Sequence, residues 1–271
     1  MRGCGYRLAE PYVCLDAAAV RAQLGREARH FQLELLDACA STNTLLLARA
    51  RGGAPAGHVI ACELQSAGRG RRGNRWQSGL GGSLTFSLLW RFAQGAAGLS
   101  GLSLAAGVAV ARALASLGVA DVQLKWPNDL LHAGRKFGGI LIELHGDAPG
   151  PTAAVIGIGL NVRLQTTLRD AIAQAVTDVA SISKQVPQRN RLLAAALIEL
   201  AQVLDQFAAH GFAPLRQEWM ARHAHQGKPV TLSSGDGKTI AGRAAGVAED
   251  GALLVETARG LERFVSGEVS R

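Results

Sequence analysis

A chain of 271 residues with 48% apolar and 18% charged residues can bury one sizeable core and carry a small appendage, which excludes a disordered or fibrous protein. Lys plus Arg outnumber Asp plus Glu by 29 to 21, and the net charge of +8 favours an anionic ligand, an acidic partner or nucleic acid without choosing among them. Cys4, Cys14, Cys39 and Cys62 form no C-x-x-C pair and have no histidine placed to complete a zinc site, so they read as reduced structural thiols of a cytoplasmic protein.

The N-terminus MRGCGYRLAEPY lacks the apolar core of a signal peptide. Residues 1–30 read as a linker and helix, with Asp16 as the N-cap of AAAVRAQL. FQLELLD from Phe31 reads as a short strand, and Ser41-Thr42-Asn43 as a polar knot that caps the helix TLLLARA. HVIACELQ from His58 and SLTFSLLW from Ser83 read as strands on either side of the loop GRGRRGNRW. A helix over about Leu99–Leu117 follows, too soon interrupted by Arg112 to span a bilayer, so no membrane association is expected. VQLKWPND reads as a strand that stops at Pro127 and turns at Asn128-Asp129. LLHAGRKFGGILIELHG reads as a hairpin with Ala133-Gly134 at its tip, AAVIGIGLNV from Ala153 as a buried strand, and the segment from Arg189 as a long helix ending at Gly211. After Gly227 the texture changes to short strands separated by SGDG, EDG and ARG turns, the pattern of a small β-barrel.

GRGRRG, residues 68–73, matches the dinucleotide fingerprint G-x-G-x-x-G, but its setting does not. A Rossmann loop opens a helix and meets an acidic residue about 20 positions on, whereas residues 74–90 carry neither a helical pattern nor an Asp or Glu. Glycines beside Arg69, Arg71 and Arg72 suit anion handling by backbone N–H groups and fixed charge, against the plainer reading of a solvated basic loop. Lys136 at a hairpin tip reads either as solvated or as a cation held beside close-packed backbone. Asp129 next to Asn128 could orient Mg²⁺ or a lysine amine, or simply form a turn. No G-x-S-x-G, Walker A, H-E-x-x-H or D-F-G motif occurs, which speaks against a covalent or metal-ligated hydrolase. An anion-stabilising site suits attack of a carboxylate on a nucleoside triphosphate.

The order STN, QSAGRGRRGNRW, KWPND, RKFGGILIEL, GIGLNV and GEVS resembles that of the bacterial biotin protein ligases, over roughly residues 33–271. The resemblance implies an α+β fold: a central mixed β-sheet flanked by helices over residues 31–224 and an SH3-like β-barrel over 225–271. It implies formation of biotinyl-5′-AMP from biotin and ATP with Mg²⁺, then transfer of biotin to a lysine of a biotin carboxyl carrier protein. Carried over by position, Ser41, Thr42, Asn43 and Gln65 would contact biotin. Arg69, Gly70 and Arg71 would serve its carboxylate and the adenylate phosphate, Lys136 would stabilise developing charge, and Arg72, Lys125, Asn128, Asp129 and Asn161 would line the nucleotide and metal side. No permanent metal site is implied, and a homodimer is compatible with the sequence.

This sequence departs from the family pattern in three places. Too few residues precede Asp16 for a helix-turn-helix module, so DNA binding is not expected. VRLQTTLRDAIAQAV after Asn161 lacks the tryptophan that a repressor-type member places near its adenylate loop, and the ending GEVSR is one residue short. The rival readings are a lipoate or octanoate ligase or transferase of the same fold and a nucleic-acid-binding regulator.

Overall fold

A computed structural model of the protein describes residues 12–146, 150–233 and 237–270. Cys4, the segment before Tyr12, most of the SGDG turn and Arg271 lie outside them. The chain runs through α1 (Ala17–Leu24), β1 (Gln32–Cys39), α2 (Thr42–Arg51), β2 (His58–Gln65), β3 (Ser83–Phe92) and α3 (Leu102–Ser116). It continues through β4 (Gln123–Lys125), β5 (Asp129–His132), β6 (Arg135–His145), β7 (Thr152–Asn161), α4 (Thr166–Ala171), α5 (Val179–Ile182), α6 (Arg189–His210) and α7 (Arg216–Ala221). The last strands are β8 (Pro229–Ser233), β9 (Thr239–Val247), β10 (Leu253–Thr257), β11 (Gly260–Phe264) and β12 (Glu268–Ser270).

Strands β1 to β7 form one sheet in the order β1-β2-β3-β7-β6-β5-β4, in which β1 and β2 are parallel and the other neighbours antiparallel. This is the mixed sheet expected. The arginine loop joins antiparallel β2 and β3, so no helix N-terminus stands behind it and the dinucleotide geometry is absent. Ala133 (φ 47°) and Gly134 (φ 76°) make the tight turn between β5 and β6, a two-residue connection that requires the left-handed region at both positions.

Alternation along the strands gives the sheet two different faces. Leu84, Phe86 and Leu88 of β3 and Ile156, Ile158 and Leu160 of β7 turn into the main core with α3 and α6. Leu89 and Val155, on the opposite face, pack with Leu46 and Ala50 of α2. α3, with the 3₁₀ turn before it, and α6 are long and apolar enough to cross a bilayer by composition, yet both bury that surface in the protein's own core. Strands β8 to β12 form a second, wholly antiparallel sheet in the order β11-β10-β9-β8-β12, the small C-terminal domain. It is fixed to the larger sheet by Trp126, whose indole N–H donates to Gly251 O at 3.0 Å, and by Arg216, which donates to Val247 O at 2.6 Å.

Residues 12–16, within the segment expected to be a linker and helix, form a strap. Glu63 of β2 and Arg189 of α6 are both buried and pair at 2.5 Å. Arg189 also donates to Val13 O at 2.7 Å and lies over the Tyr12 ring, while Glu63 accepts from Leu15 N–H. Asn190 holds the same strap from both sides, accepting from Asp16 N–H and donating to Cys14 O. Burial first, and then the Glu63 carboxylate, push the Tyr12 phenol up to about 12. The Cys39 thiol is pushed up to about 12 by burial and then by neighbouring Cys62, which makes it a poor nucleophile at neutral pH.

Removing one partner from a buried pair leaves the other charge uncompensated. Arg189→Met is therefore expected to lower unfolding free energy by about 3–5 kcal/mol, read as a shift of the urea midpoint. A shift close to zero would show that the pair does not hold the strap.

Candidate active site

The site begins with a strand that carries no side chains where they would intrude. Gly157, Gly159 and Asn161 of β7 share the sheet face that α2 covers further along. A Cβ at Gly157 would overlap the Asn43 side-chain amide, and one at Gly159 would come within 2.5 Å of the Trp76 ring. The bare backbone lets both groups lie flat on the sheet. They form part of the wall of a cleft of ≈ 500 Å³, the range of small-ligand sites.

At one end of the cleft the N-terminus of α2 supplies Ser41, Thr42 and Asn43, all nearly fully buried. Ser41 caps the helix, its hydroxyl accepting from Thr44 N–H. Ser87 Oγ lies 2.6 Å from Asn43 Oδ1 and 2.8 Å from Thr42 Oγ1. A hydroxyl has one proton and an amide oxygen can only accept, so Ser87 donates to Asn43 and receives from Thr42. Thr42 N–H donates to Gln65 Oε1 at 2.7 Å, which fixes that oxygen toward the helix and leaves the Gln65 amide nitrogen to serve a ligand. Asn43 Nδ2 donates to Leu141 O and to Glu143 Oε2 at 3.0 Å. The result is a neutral, hydrogen-bonding end with one carboxylate behind it.

The arginine loop is a small hairpin over the cleft. Arg69 bridges Arg75, Gly70 N–H donates to Asn74 O at 2.7 Å, and Trp76 N–H donates to Gly68 O at 3.0 Å. A Cβ at Gly68 would come within 2.5 Å of Trp76 O, so the hairpin can close this tightly only with glycine there. Three of its four arginines fan out to separate elements, Arg69 to Glu143 of β6 at 2.9 Å, Arg71 to Asn128 Oδ1 at 3.4 Å and Arg72 to Ser233 O of the C-terminal domain at 3.4 Å, while Arg75 donates to Ser66 O at 3.1 Å. Burial, and next the charge of Arg72, push the Arg71 guanidinium down, while Asp129 and Glu268 favour its charge. These ties hold the loop against the cleft, which its residues line.

At the opposite end Lys136 Nζ lies 2.6 Å from Asp129 Oδ1, with Lys125 Nζ 3.9 Å from the other oxygen. The residue at the hairpin tip is thus turned inward and oriented, not solvated. A segment after β7 runs beside it: Lys136 N–H donates to Ala175 O and Thr177 N–H to Lys136 O, both at 2.9 Å. Asp178, buried, holds that segment by accepting from Leu164 N–H, Ser181 N–H and Arg169. Ala171, Ile172 and Ala173 of this segment line the cleft, giving an apolar cover where the sequence offers no tryptophan. Trp76 Nε1 and Asn161 Oδ1 are buried polar atoms without a protein partner, and both residues line the cleft.

All thirteen residues singled out from sequence line this one cleft: Ser41, Thr42, Asn43, Gln65, Arg69, Gly70, Arg71, Arg72, Lys125, Asn128, Asp129, Lys136 and Asn161. Arg69, while lining the cleft, also pairs with Glu143. Ser87, Glu143 and Trp76 were not anticipated. The signal for the first two was a polar residue inside an otherwise apolar strand, which must find a partner once buried.

Known proteins are similar to this chain in sequence and in fold. A family model described as the biotin/lipoate A/B protein ligase family matches residues 35–161, and one described as the biotin protein ligase C-terminal domain matches 225–271. The bifunctional ligase/repressor BirA of Salmonella typhimurium is 37% identical over 268 residues, covering 99% of this chain and 82% of that protein. A biotin acetyl-CoA-carboxylase ligase of Paracoccus denitrificans is 34% identical over 237 residues, 84% of this chain and 96% of that one. The biotin protein ligase of Aquifex aeolicus in complex with biotin and ATP superposes with a TM-score of 0.76 at 28% identity, over 88% of this chain and 97% of that structure. With 37% identity to the first of these relatives over nearly its whole length and both domains matched, the chain belongs to the biotin protein ligase family.

Proposed function

We propose that the chain is an ATP-dependent biotin protein ligase that uses the two ends of one cleft for the two halves of its intermediate. The observation that carries this is the cleft's polarity: a buried, neutral hydrogen-bonding network at one end and a lysine–carboxylate cluster at the other, bridged by the arginine hairpin. The ureido ring of biotin offers N–H donors and a carbonyl acceptor that match the Gln65, Thr42 and Asn43 end. A lipoyl dithiolane or an octanoyl tail offers no such acceptor to the Gln65 amide nitrogen, the donor that this network leaves for a ligand, which is a ground for rejection.

Biotin extended along the cleft brings its carboxylate to the hairpin and Lys136. A carboxylate oxygen attacks the α-phosphorus of ATP, the bond to the bridging oxygen breaks, and pyrophosphate leaves; Mg²⁺ arriving with ATP would be held near Asn128 and Asp129 and would offset the charge of the leaving group. Lys136, held by Asp129, neutralises charge on the phosphoryl oxygens as it develops. The Arg69-Gly70 backbone and the Arg71 guanidinium hold the mixed anhydride and keep water from it. The adenine lies under Ala171 to Ala173, with Asn161 and Lys125 on its flank. The unprotonated amine of a carrier lysine then attacks the acyl carbon, AMP departs, and the amide forms with loss of one proton. The partner is the biotin carboxyl carrier subunit of an acetyl-CoA or related carboxylase in the cytoplasm, and neither DNA nor a membrane enters the cycle.

Pyrophosphate exchange into ATP is expected with biotin and not with lipoate or octanoate; exchange with either of those alone would replace this reading by the lipoyl one. Lys136→Ala is expected to lower the adenylation rate by about 10²–10³-fold with the fold intact by circular dichroism. Arg71→Gly is expected to release biotinyl-5′-AMP into solution and label bystander lysines, measured by avidin blotting of a mixture of carrier and a non-carrier protein. Labelling confined to the carrier would remove the retaining role of Arg71.

A further inference from the structure

Glu143 ties β6 to two motifs that the parallel pair β1 and β2 already sets side by side. It lies on β6, opposite Val155 of β7, with its side chain 19% exposed. Its carboxylate accepts from Asn43, 100 residues earlier, and from Arg69, 74 residues earlier. Both oxygens lie within 3.0 Å of Arg69 Nη1. The Asn43 amide is then fully specified, because its nitrogen donates to Leu141 O and Glu143 while its oxygen accepts from Ser87. Arg69 sits between two glycines at the entry to the hairpin, where backbone freedom is greatest and a side-chain tie restrains most.

We propose that Glu143 is a positioning residue that latches the arginine hairpin shut through Arg69 and, with the same carboxylate, sets the orientation of neighbouring Asn43. The Arg69 side chain is 47% exposed, so the pair is screened by salt and opens reversibly, as a latch must if ligand is to enter and product to leave. Consuming the Arg69 charge in this way also leaves the loop backbone and Arg71 as the groups that meet the ligand's anion. For its catalytic consequence this inference rests on the biotin ligase reading, but the latch itself does not.

The test uses the full-length chain and two readouts. In a trypsin time course without ligands, cleavage within residues 69–75 is followed by mass spectrometry for wild type, E143Q and the charge-swapped R69E/E143R. E143Q is expected to raise the rate of cleavage in the hairpin about two- to fivefold at an unchanged melting temperature, with the swap returning it toward wild type at the remaining arginines. Raising the salt concentration is expected to move wild type toward E143Q. In the second readout, E143Q, whose amide oxygen can still accept from Asn43, shortens retention of biotinyl-5′-AMP more than it raises the KM for biotin, whereas E143A raises both. Hairpin cleavage in E143Q equal to wild type, or a swap that cleaves like E143Q, would overturn the latch. Faster cleavage with no change in adenylate retention would keep the latch and overturn its catalytic role.

Discussion

The site depends on two missing side chains. Gly157 and Gly159, two residues apart on β7, expose a strip of sheet backbone in the middle of a seven-stranded sheet, and the Asn43 amide and the Trp76 ring fill the space directly. A sheet face in a soluble domain is ordinarily sealed by apolar side chains or a helix. Here α2 seals half of it through Leu46 and Ala50, and its N-terminal turn delivers polar groups to the unsealed half. From that floor the rest follows: Ser87 and Gln65 become the partners of the α2 turn, the loop between β2 and β3 folds back as a roof, and the β5–β6 hairpin brings Lys136 to the open end.

The roof explains the composition of the arginine loop. Its glycines permit a tight hairpin, and three of its four arginines are spent on separate anchors, one on the sheet, one on the turn after Pro127 and one on the C-terminal domain. The positive charge is therefore as much a matter of holding the loop as of attracting an anion. The C-terminal domain participates for the same reason: Glu268 lies at the cleft near Arg71, and Trp126, within the KWPND motif, anchors that domain through Gly251. A motif residue at the cleft thus also connects the two domains.

Much of this was legible in the sequence because it is local. The strands HVIACELQ and SLTFSLLW have the bounds or starting points of β2 and β3, the Ala133-Gly134 turn is where the left-handed region was needed, and the four polar islands stood out against apolar strands. What stayed hidden depends on distant partners. Glu63 pairs with Arg189 across 126 positions, and Glu143 reaches Arg69 and Asn43 across 74 and 100. A single sequence says that a carboxylate in HVIACELQ or ILIEL must be satisfied once buried, but not by which group. The strap at residues 12–16 was invisible for the same reason, since its restraints come from β2 and α6 rather than from its own composition.

In the proposed function the cleft selects an acyl group by hydrogen bonds at its buried end and retains it as an adenylate under the arginine roof. The most direct measurement offers the protein equal concentrations of biotin, lipoate and octanoate with MgATP, removes free ligand by gel filtration and identifies the retained adenylate by mass spectrometry. Biotinyl-5′-AMP as the retained species is the predicted result. A lipoyl or octanoyl adenylate in its place, or no retained adenylate at all, would contradict the account.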